Sequence, residues 1–435
     1  MSGGPILIPK LRYDQSLIVA DPHRWKVVRC GRRWGKTVLL SAIAEDATAK
    51  GEPVAIYAPQ FATLQETFRD IRNVLDPIVT SASQGHEIRT STGGKLDFWS
   101  LQPGGLYGRG RKYRKILIDE AAFAPPGTLH EYRTAIINLT KEFADSQIYV
   151  FSTPEEPDLD NFFYALHAHD DYRWIENDPK GNRRRFKQFW RPTHSNPAIP
   201  RQELEDDKAT MHPLAYKQEV LAQFVDWSGV SLFSNINHGV QPHPRYDYIF
   251  AVIDSAMKSG VEHDGCAVMF FGYTSAFTPH LHVLDWDIVS LEAVNQYQWL
   301  QQILGHGEYL AKRYAAHQGF TTCLIEDKAS GIVLLQQGRD NNLPVEPIHS
   351  VYTSVGKDER ARTILDPVYS GAVKFVQYAY DKVTEYKNET KNHAINQILR
   401  YRIGDKEAYK RPDDLFDAFS YGVIYALVPQ MRKRD

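Results

Sequence analysis

Cysteine is scarce in this 435-residue chain: Cys30, Cys266 and Cys323 stand far apart, with no Cys-x-x-Cys spacing. That excludes a disulfide framework and a zinc module, and it suits a reducing compartment. No apolar run approaches the roughly 20 residues of a membrane span, and the first residues lack a secretory-signal pattern. An excess of one charge is missing too, since 51 Lys+Arg against 53 Asp+Glu leave a formal net charge of −2. Any nucleic acid must therefore be held by local basic patches and not by the field of the whole molecule. Internal repeats and low-complexity tails are absent from the sequence. Hydrophobic content of 43% and charged content of 24% are ordinary for a globular protein. The length allows two or three domains, and the expectation is a soluble intracellular protein.

The most informative stretch present is Cys30-Gly31-Arg32-Arg33-Trp34-Gly35-Lys36-Thr37. A strand-like run from Trp25 to Arg29 leads into it, and Val38-Leu39-Leu40 opens a helix after it. Glycines let backbone N–H groups approach phosphate oxygens, and a helix N-terminus adds a favourable dipole. Lys36 would reach the β- and γ-phosphates of a nucleotide, and the Thr37 hydroxyl would ligate Mg²⁺. Cys30 occupies the first glycine position of G-x-x-x-x-G-K-[ST], so the fit is incomplete. About 80 residues on, Lys115-Ile116-Leu117-Ile118-Asp119-Glu120 is an apolar strand ending in two acids. Asp119 would support Mg²⁺ through its water shell, and Glu120 would polarise the attacking water. Ser152-Thr153-Pro154 ends the next strand, where ligands bind at the carboxyl edge of a parallel sheet; an ordinary helix cap is the other reading. Gln15 is a candidate for the adenine edge. Arg109, in the basic stretch from Tyr107 to Lys115, is a candidate arginine for a neighbouring subunit's γ-phosphate, with Arg32 its competitor within the subunit.

Strand expectations in the first half are Val54–Tyr57, Lys95–Trp99, Lys115–Ile118 and Gln147–Phe151, alternating with helical patterns as in a parallel α/β sheet. From about Thr153 to Gly229 the pattern loosens around Arg183-Arg184-Arg185-Phe186-Lys187 and an Asn196-Pro197 turn. The expected divisions are an ATPase core over 1–155, a small lid or connector over 156–235, and a third block over 236–435. In the last block, strands at Tyr248–Ile253, Cys266–Gly272 and Leu281–Ile288 precede a helical stretch from Leu291 to about Ala316. A fourth strand follows at Thr322–Glu326, with another near Pro344–His349 and helices near Ser330, Glu359 and Asp414. Three meandering strands, a helix and a fourth strand is the order of an RNase H-like fold.

Acids cluster along that order. Asp254 ends a central strand, Glu326-Asp327 ends the fourth, and Asp413-Asp414-Leu415-Phe416-Asp417-Ala418 opens the last helix. Asp414 and Asp417 stand three apart on one helix face. Such acids can converge on a two-metal site that clamps the attacking and leaving oxygens of a phosphodiester, with Mg²⁺ or Mn²⁺ on hard oxygen ligands. Strand alternation sends Glu326 and Asp327 to opposite faces, and Asp327 is the favoured ligand. Asp413 and Asp414 pose the same choice. Lys357 and Arg360 would contact scissile-strand phosphates or stand in solvent.

Taken in order, Cys30–Thr37, Asp119-Glu120, Ser152-Thr153-Pro154, Asp254, Glu326–Gly331 and Asp413–Ala418 resemble the large terminase subunit of tailed bacteriophages. Tyr57-Ala58-Pro59-Gln60 also looks like the family's segment after its second strand. The resemblance implies a P-loop, RecA/ASCE-like ATPase joined to an RNase H-like nuclease, driving double-stranded DNA into a procapsid and cutting concatemers. It implies ATP and Mg²⁺ as cofactors, Arg32 and Lys36 on phosphate, a catalytic Glu120, and Arg109 acting in trans. It further implies a small terminase subunit and a portal protein as partners, a homo-oligomeric ring during packaging, and the host cytoplasm as location. A helicase-like or repair ATPase with a non-cutting second half, a resolvase-like nuclease and a nucleotide-regulated scaffold share parts of the pattern.

Overall fold

Short apolar runs bounded by charge, glycine or proline become strands throughout the computed structural model. It describes residues 6–83, 86–103, 108–176, 185–255, 266–289, 296–328, 330–405 and 412–428. Tyr107, Arg183, Arg184 and Leu291, named above, lie outside these. The chain divides into two compact units, Met1–Asp207 with Pro213–Asp226, and Lys208–His212 with Trp227–Asp435.

The first unit is built on an eight-stranded sheet in the order β3-β4-β5-β2-β6-β7-β1-β8. Its strands are β1 (Trp25–Cys30), β2 (Pro53–Ala58), β3 (Val79–Ser83), β4 (Glu87–Thr90), β5 (Lys95–Ser100), β6 (Lys115–Ile118), β7 (Gln147–Ser152) and β8 (Lys187–Arg191). All neighbours pair in parallel except around β3 and β4. Strand alternation splits each central run between two cores. Val28, Ile56, Leu117 and Phe151 face the helices Lys36–Ala49 and Phe61–Leu75. Val27, Tyr57, Ile116 and Val150 face the other side, with Tyr132, Phe162 and Phe163. Burial on both faces is why these strands read as unbroken apolar runs. The phosphate-loop strand β1 and the acid-bearing strand β6 are separated by β7, as in a RecA-like ATPase. The irregular stretch after Thr153 supplies β8, which pairs with β1 in register Lys26↔Lys187 to Cys30↔Arg191.

The second unit holds a six-stranded sheet in the order β13-β12-β9-β10-β11-β14. Its strands are β9 (Tyr248–Ser255), β10 (Cys266–Tyr273), β11 (Leu281–Val289), β12 (Phe320–Ile325), β13 (Val345–Pro347) and β14 (Val373–Phe375). The meander β9-β10-β11 is antiparallel, and β12 returns parallel to β9. This is the RNase H-like order. A two-stranded hairpin, β15 (Thr384–Tyr386) and β16 (Glu389–Lys391), stands apart from the main sheet. Within the described residues the long helix runs over Gln296–Arg313, ending a few residues before the expected Ala316. It contacts Phe270 through His306, on one face of the sheet. Helix Asp414–Leu427 covers the other face, where Tyr425 meets Phe250. The close seat of that helix requires Gly422, because a Cβ there would stand 2.2 Å from the Phe271 ring. No helix among the described residues is long and apolar enough to cross a membrane.

Candidate active sites

In the first unit, the loop from Gly31 to Gly35 is shaped by donors that capture its carbonyls. Thr193 Oγ1 donates to Arg32 O at 2.8 Å, Asn196 Nδ2 to Arg33 O at 2.8 Å, Arg12 Nη2 to Trp34 O at 2.7 Å and Gln15 Nε2 to Gly35 O at 3.1 Å. Gly31, Arg32 and Trp34 spend their own N–H groups on Arg191 O, Glu219 O and Gly31 O, so the donors left are those of Arg33, Gly35 and the first helical turn, with left-handed backbone at Arg33 (φ 58°) and Gly35 (φ 102°). That is an anion-binding nest opening onto a helix N-terminus. Cys30 is buried and needs no glycine freedom. Gly31 is different: a Cβ there would lie 2.3 Å from Thr193 Oγ1 and 2.6 Å from Val220 O. Gly31→Ala should therefore lose about 1–3 kcal/mol of stability through overpacking and weaken nucleotide binding, as thermal melts and nucleotide titration would show.

Lys36 reaches across the nest. Its Nζ donates to Glu120 Oε1 at 2.8 Å and to Thr153 Oγ1 at 3.1 Å. Glu120 is carried there by a left-handed turn at φ 47° directly after β6. Ser152 Oγ accepts from Ala122 N at 3.1 Å and donates to Glu120 Oε2 at 3.4 Å. Asp119 is buried, and burial followed by the charge of Glu120 pushes its carboxyl up to about 6. A cleft of about 560 Å³ lies over these groups, with Lys36, Thr37, Glu120 and Thr153 among its walls.

Several expected residues stand elsewhere. Gln15 is buried and does not line the cleft: its Nε2 holds Gly35 O and its Oε1 accepts from Arg12 N at 3.0 Å. One end of the amide thus serves the loop and the other caps the helix that begins at Tyr13. Arg109 is exposed and pairs with Glu131 at 3.2 Å. Arg32 lines the cleft, with its Nε 2.5 Å from Glu219 Oε2. Glu219, Thr193, Asn196 and Arg12 escaped the sequence reading. Only the Asn196-Pro197 turn hinted at any of them, because partners 161 and 163 residues away for Thr193 and Asn196, and 22 away for Arg12, leave no local signature.

The second site gathers acids at the end of β9. Asp254 is buried on the face covered by helix Asp414–Leu427. Burial, then Asp417, Asp414 and Glu326, hold its carboxyl well above the usual carboxylate range. Asp414 is pushed up to about 7 by burial and by Asp413 and Asp417, and its Oδ2 is buried without a hydrogen-bond partner. Glu326, not Asp327, belongs to this group. Tyr421 Oη donates to Glu326 Oε1 at 3.2 Å and Lys328 pairs with it at 2.8 Å, whereas Asp327 is exposed. The strand ends at Ile325, so the alternation that favoured Asp327 has already lapsed. Asp413 precedes the helix and is joined to Lys357.

Two cations balance the acids. Lys357 Nζ stands 2.6 Å from Asp417 Oδ2 and also contacts Asp413. Burial works against its charge, yet Asp417 and Asp413 hold Lys357 above the ordinary lysine range. Arg360 Nη2 reaches Asp417 Oδ1 at 2.5 Å, its guanidinium 4.6 Å from the Tyr421 ring centre. No group of three or more acid, histidine or cysteine side chains is gathered as a metal cage among the described residues. The donor set nevertheless fits a hard divalent cation: carboxylates only, one buried oxygen without a donor, and a local negative charge held down by protonation and by Lys357.

No family model and no curated protein matches the sequence. Solved structures do. The large terminase of a thermophilic bacteriophage aligns over 96% of this chain and 100% of its own, with TM-score 0.68 at 13% identity. The same terminase in complex with ATP-gamma-S aligns over 96% and 99%, with TM-score 0.65 at 13% identity. Its ADP complex aligns over 96% and 100%, with TM-score 0.66 at 13% identity. A nest closed by Lys36 and Glu120 in one unit, and an acid-lined RNase H-like sheet in the other, are thus joined in a chain that carries the fold of the phage large terminase from end to end.

Proposed function

We propose that the protein is a large terminase subunit, hydrolysing ATP to move double-stranded DNA into a procapsid and cutting that DNA with a metal-dependent nuclease. The carrying observation is the contact of Lys36 with Glu120 and Thr153. It supports this reading by bringing an amine, a carboxylate and the end of the next strand together at one point of the cleft. In this reading the nest and Lys36 hold the β- and γ-phosphates and Glu120 orients the attacking water. Thr153 lies where loss of the γ-phosphate would be felt by β7. Thr37 and Asp119 are the residues to hold Mg²⁺ with the nucleotide. Arg109, exposed and lightly paired, is free to reach a neighbouring subunit, with Arg32 as the arginine of the same cleft.

In the second unit Asp254, Glu326 and Asp414 would hold Mg²⁺ or Mn²⁺, with Asp413 and Asp417 at the margin. Bound there, the metal would supply the positive charge that stabilises a cleaved phosphodiester. Lys357 restrains the marginal acids and presents positive charge to a DNA strand, while the buried Arg360 restrains Asp417. Grip on duplex DNA should be mostly to phosphates, and so salt-sensitive and independent of sequence. A small terminase subunit, a portal protein and a ring of copies in the host cytoplasm complete the proposal. The test is supercoiled-plasmid cleavage with Mn²⁺, Mg²⁺ or EDTA, alongside ATP hydrolysis. Metal-dependent nicking together with ATP turnover is expected. ATP turnover without nicking under either metal would overturn the nuclease assignment in favour of a helicase-like ATPase.

A further inference from the structure

A cavity of about 210 Å³ opens between the β15–β16 hairpin and helix His393–Arg400, and Asp413 forms part of its wall. It therefore borders the acid cluster without belonging to it. Its walls carry the cations Lys387, Lys391, Arg400 and Arg402 against the carboxylates Glu389, Asp405 and Asp413, of which Glu389 pairs with Lys391 and Asp413 with Lys357. Arg400 is exposed and, among the described residues, makes no ion pair, although its charge is felt at Glu389. Arg402 likewise has no acid partner, and spends one nitrogen on the carbonyls of Leu399 (2.6 Å) and Tyr401 (2.7 Å). Gln397 stands in the wall: its Oε1 accepts from Leu415 N at 2.8 Å, while its Nε2 is buried with no acceptor. Two guanidinium groups lining one cavity define a site for an oxyanion.

The cavity's rings are not available to a base. Tyr401 is stacked on Phe416 with centroids 3.9 Å apart, and its hydroxyl is bonded to Asp358. Tyr386 meets His393 edge-on at 5.6 Å. Both tyrosine rings are buried, so a nucleobase would find little ring surface, whereas a phosphate would find donors. The volume exceeds that of a phosphate alone and admits the attached sugar. The bond from Leu415 N to Gln397 couples the cavity to the first turn of the helix that carries Asp414 and Asp417.

We propose that this cavity binds a backbone phosphate of the DNA strand, next to the bond cut at the acid cluster, and so sets the distance between grip and cleavage. The inference rests on the nuclease reading above. The test uses the full chain carrying Asp254→Ala, which prevents cutting, and measures binding of a short duplex across a salt series, with and without Arg400→Ala. Removing one phosphate contact should lower affinity about 5- to 10-fold at low salt and reduce the slope of log K against log[salt] by about one, equally for AT-rich and GC-rich duplexes. Arg400→Lys should recover part of the slope, which a merely structural role would not. Unchanged affinity and slope, in protein that still binds duplex, overturn the cavity assignment alone. A loss confined to one base composition overturns it too. Failure of the parent chain to cleave plasmid with either metal instead strikes the nuclease reading beneath it.

Discussion

Lys36→Ala will lower ATP hydrolysis by about a thousandfold or more while leaving metal-dependent DNA cleavage in place. The size follows from what one amine does. In the proposed reading it is the charge aimed at the transferred phosphoryl group, where preorganised charge is worth several kcal/mol. It also fixes Glu120 from 2.8 Å, against the pull of a left-handed backbone at that residue. Without it, the carboxylate keeps only the long contact to Ser152 at 3.4 Å. Cleavage should survive because the acid cluster lies in a unit with its own sheet and core. The paired measurement is ATP turnover and plasmid nicking on the same preparation. Turnover within tenfold of the parent chain would show that the cleft is not where ATP is hydrolysed.

Asp254→Asn should do two opposite things. Cleavage should fall by about a thousandfold or more, since the carboxylate most deeply set among the acids is gone. The metal-free protein should become more stable by about 1–3 kcal/mol at pH 8, because a buried like-charge cluster loses one member. The sign follows from proton linkage. Asp254 and Asp414 hold their protons more tightly folded than unfolded, so stability declines as pH rises from the unfolded carboxyl range through the folded one, about 7 for Asp414. Below about pH 4 the acids are protonated in both states and the advantage of the variant should vanish. Melting curves in EDTA between pH 4 and 8 test this, and Mn²⁺ should raise the parent's melting temperature more than the variant's. A variant that melts lower than the parent at pH 8 and still cuts would remove Asp254 from the site.

The two sheets were legible because their strands are short apolar runs with clear ends. Lys115–Ile118 reads the same in sequence and structure, and the β9-β10-β11 meander announces itself by spacing. β8 was not legible: Lys187-Gln188-Phe189-Trp190-Arg191 lies at a sheet edge, where polar and aromatic residues alternate as they would in a loop. The choice between Glu326 and Asp327 failed for a local reason, since period-two reasoning stops where the strand stops. Gln15 lies near the loop, as its sequence position suggests, but nothing local says that its amide nitrogen holds Gly35 O. The pairing of Lys357 with Asp413 joins residues 56 apart, and no spacing rule anticipates it.

The captured carbonyls of the nest also bear on how the protein comes off the ribosome. Thr193 and Asn196 reach back 161 and 163 residues to hold Arg32 and Arg33. A nascent chain that has exposed its Gly-Lys-Thr stretch and both acids of β6 still lacks the clamps that give the loop its shape. Closing so long a loop is entropically slow, and its reward arrives only with the last segment. In the proposed reading, ATP capture is thus a late event in biogenesis, set by the order in which the loop and its clamps are synthesised.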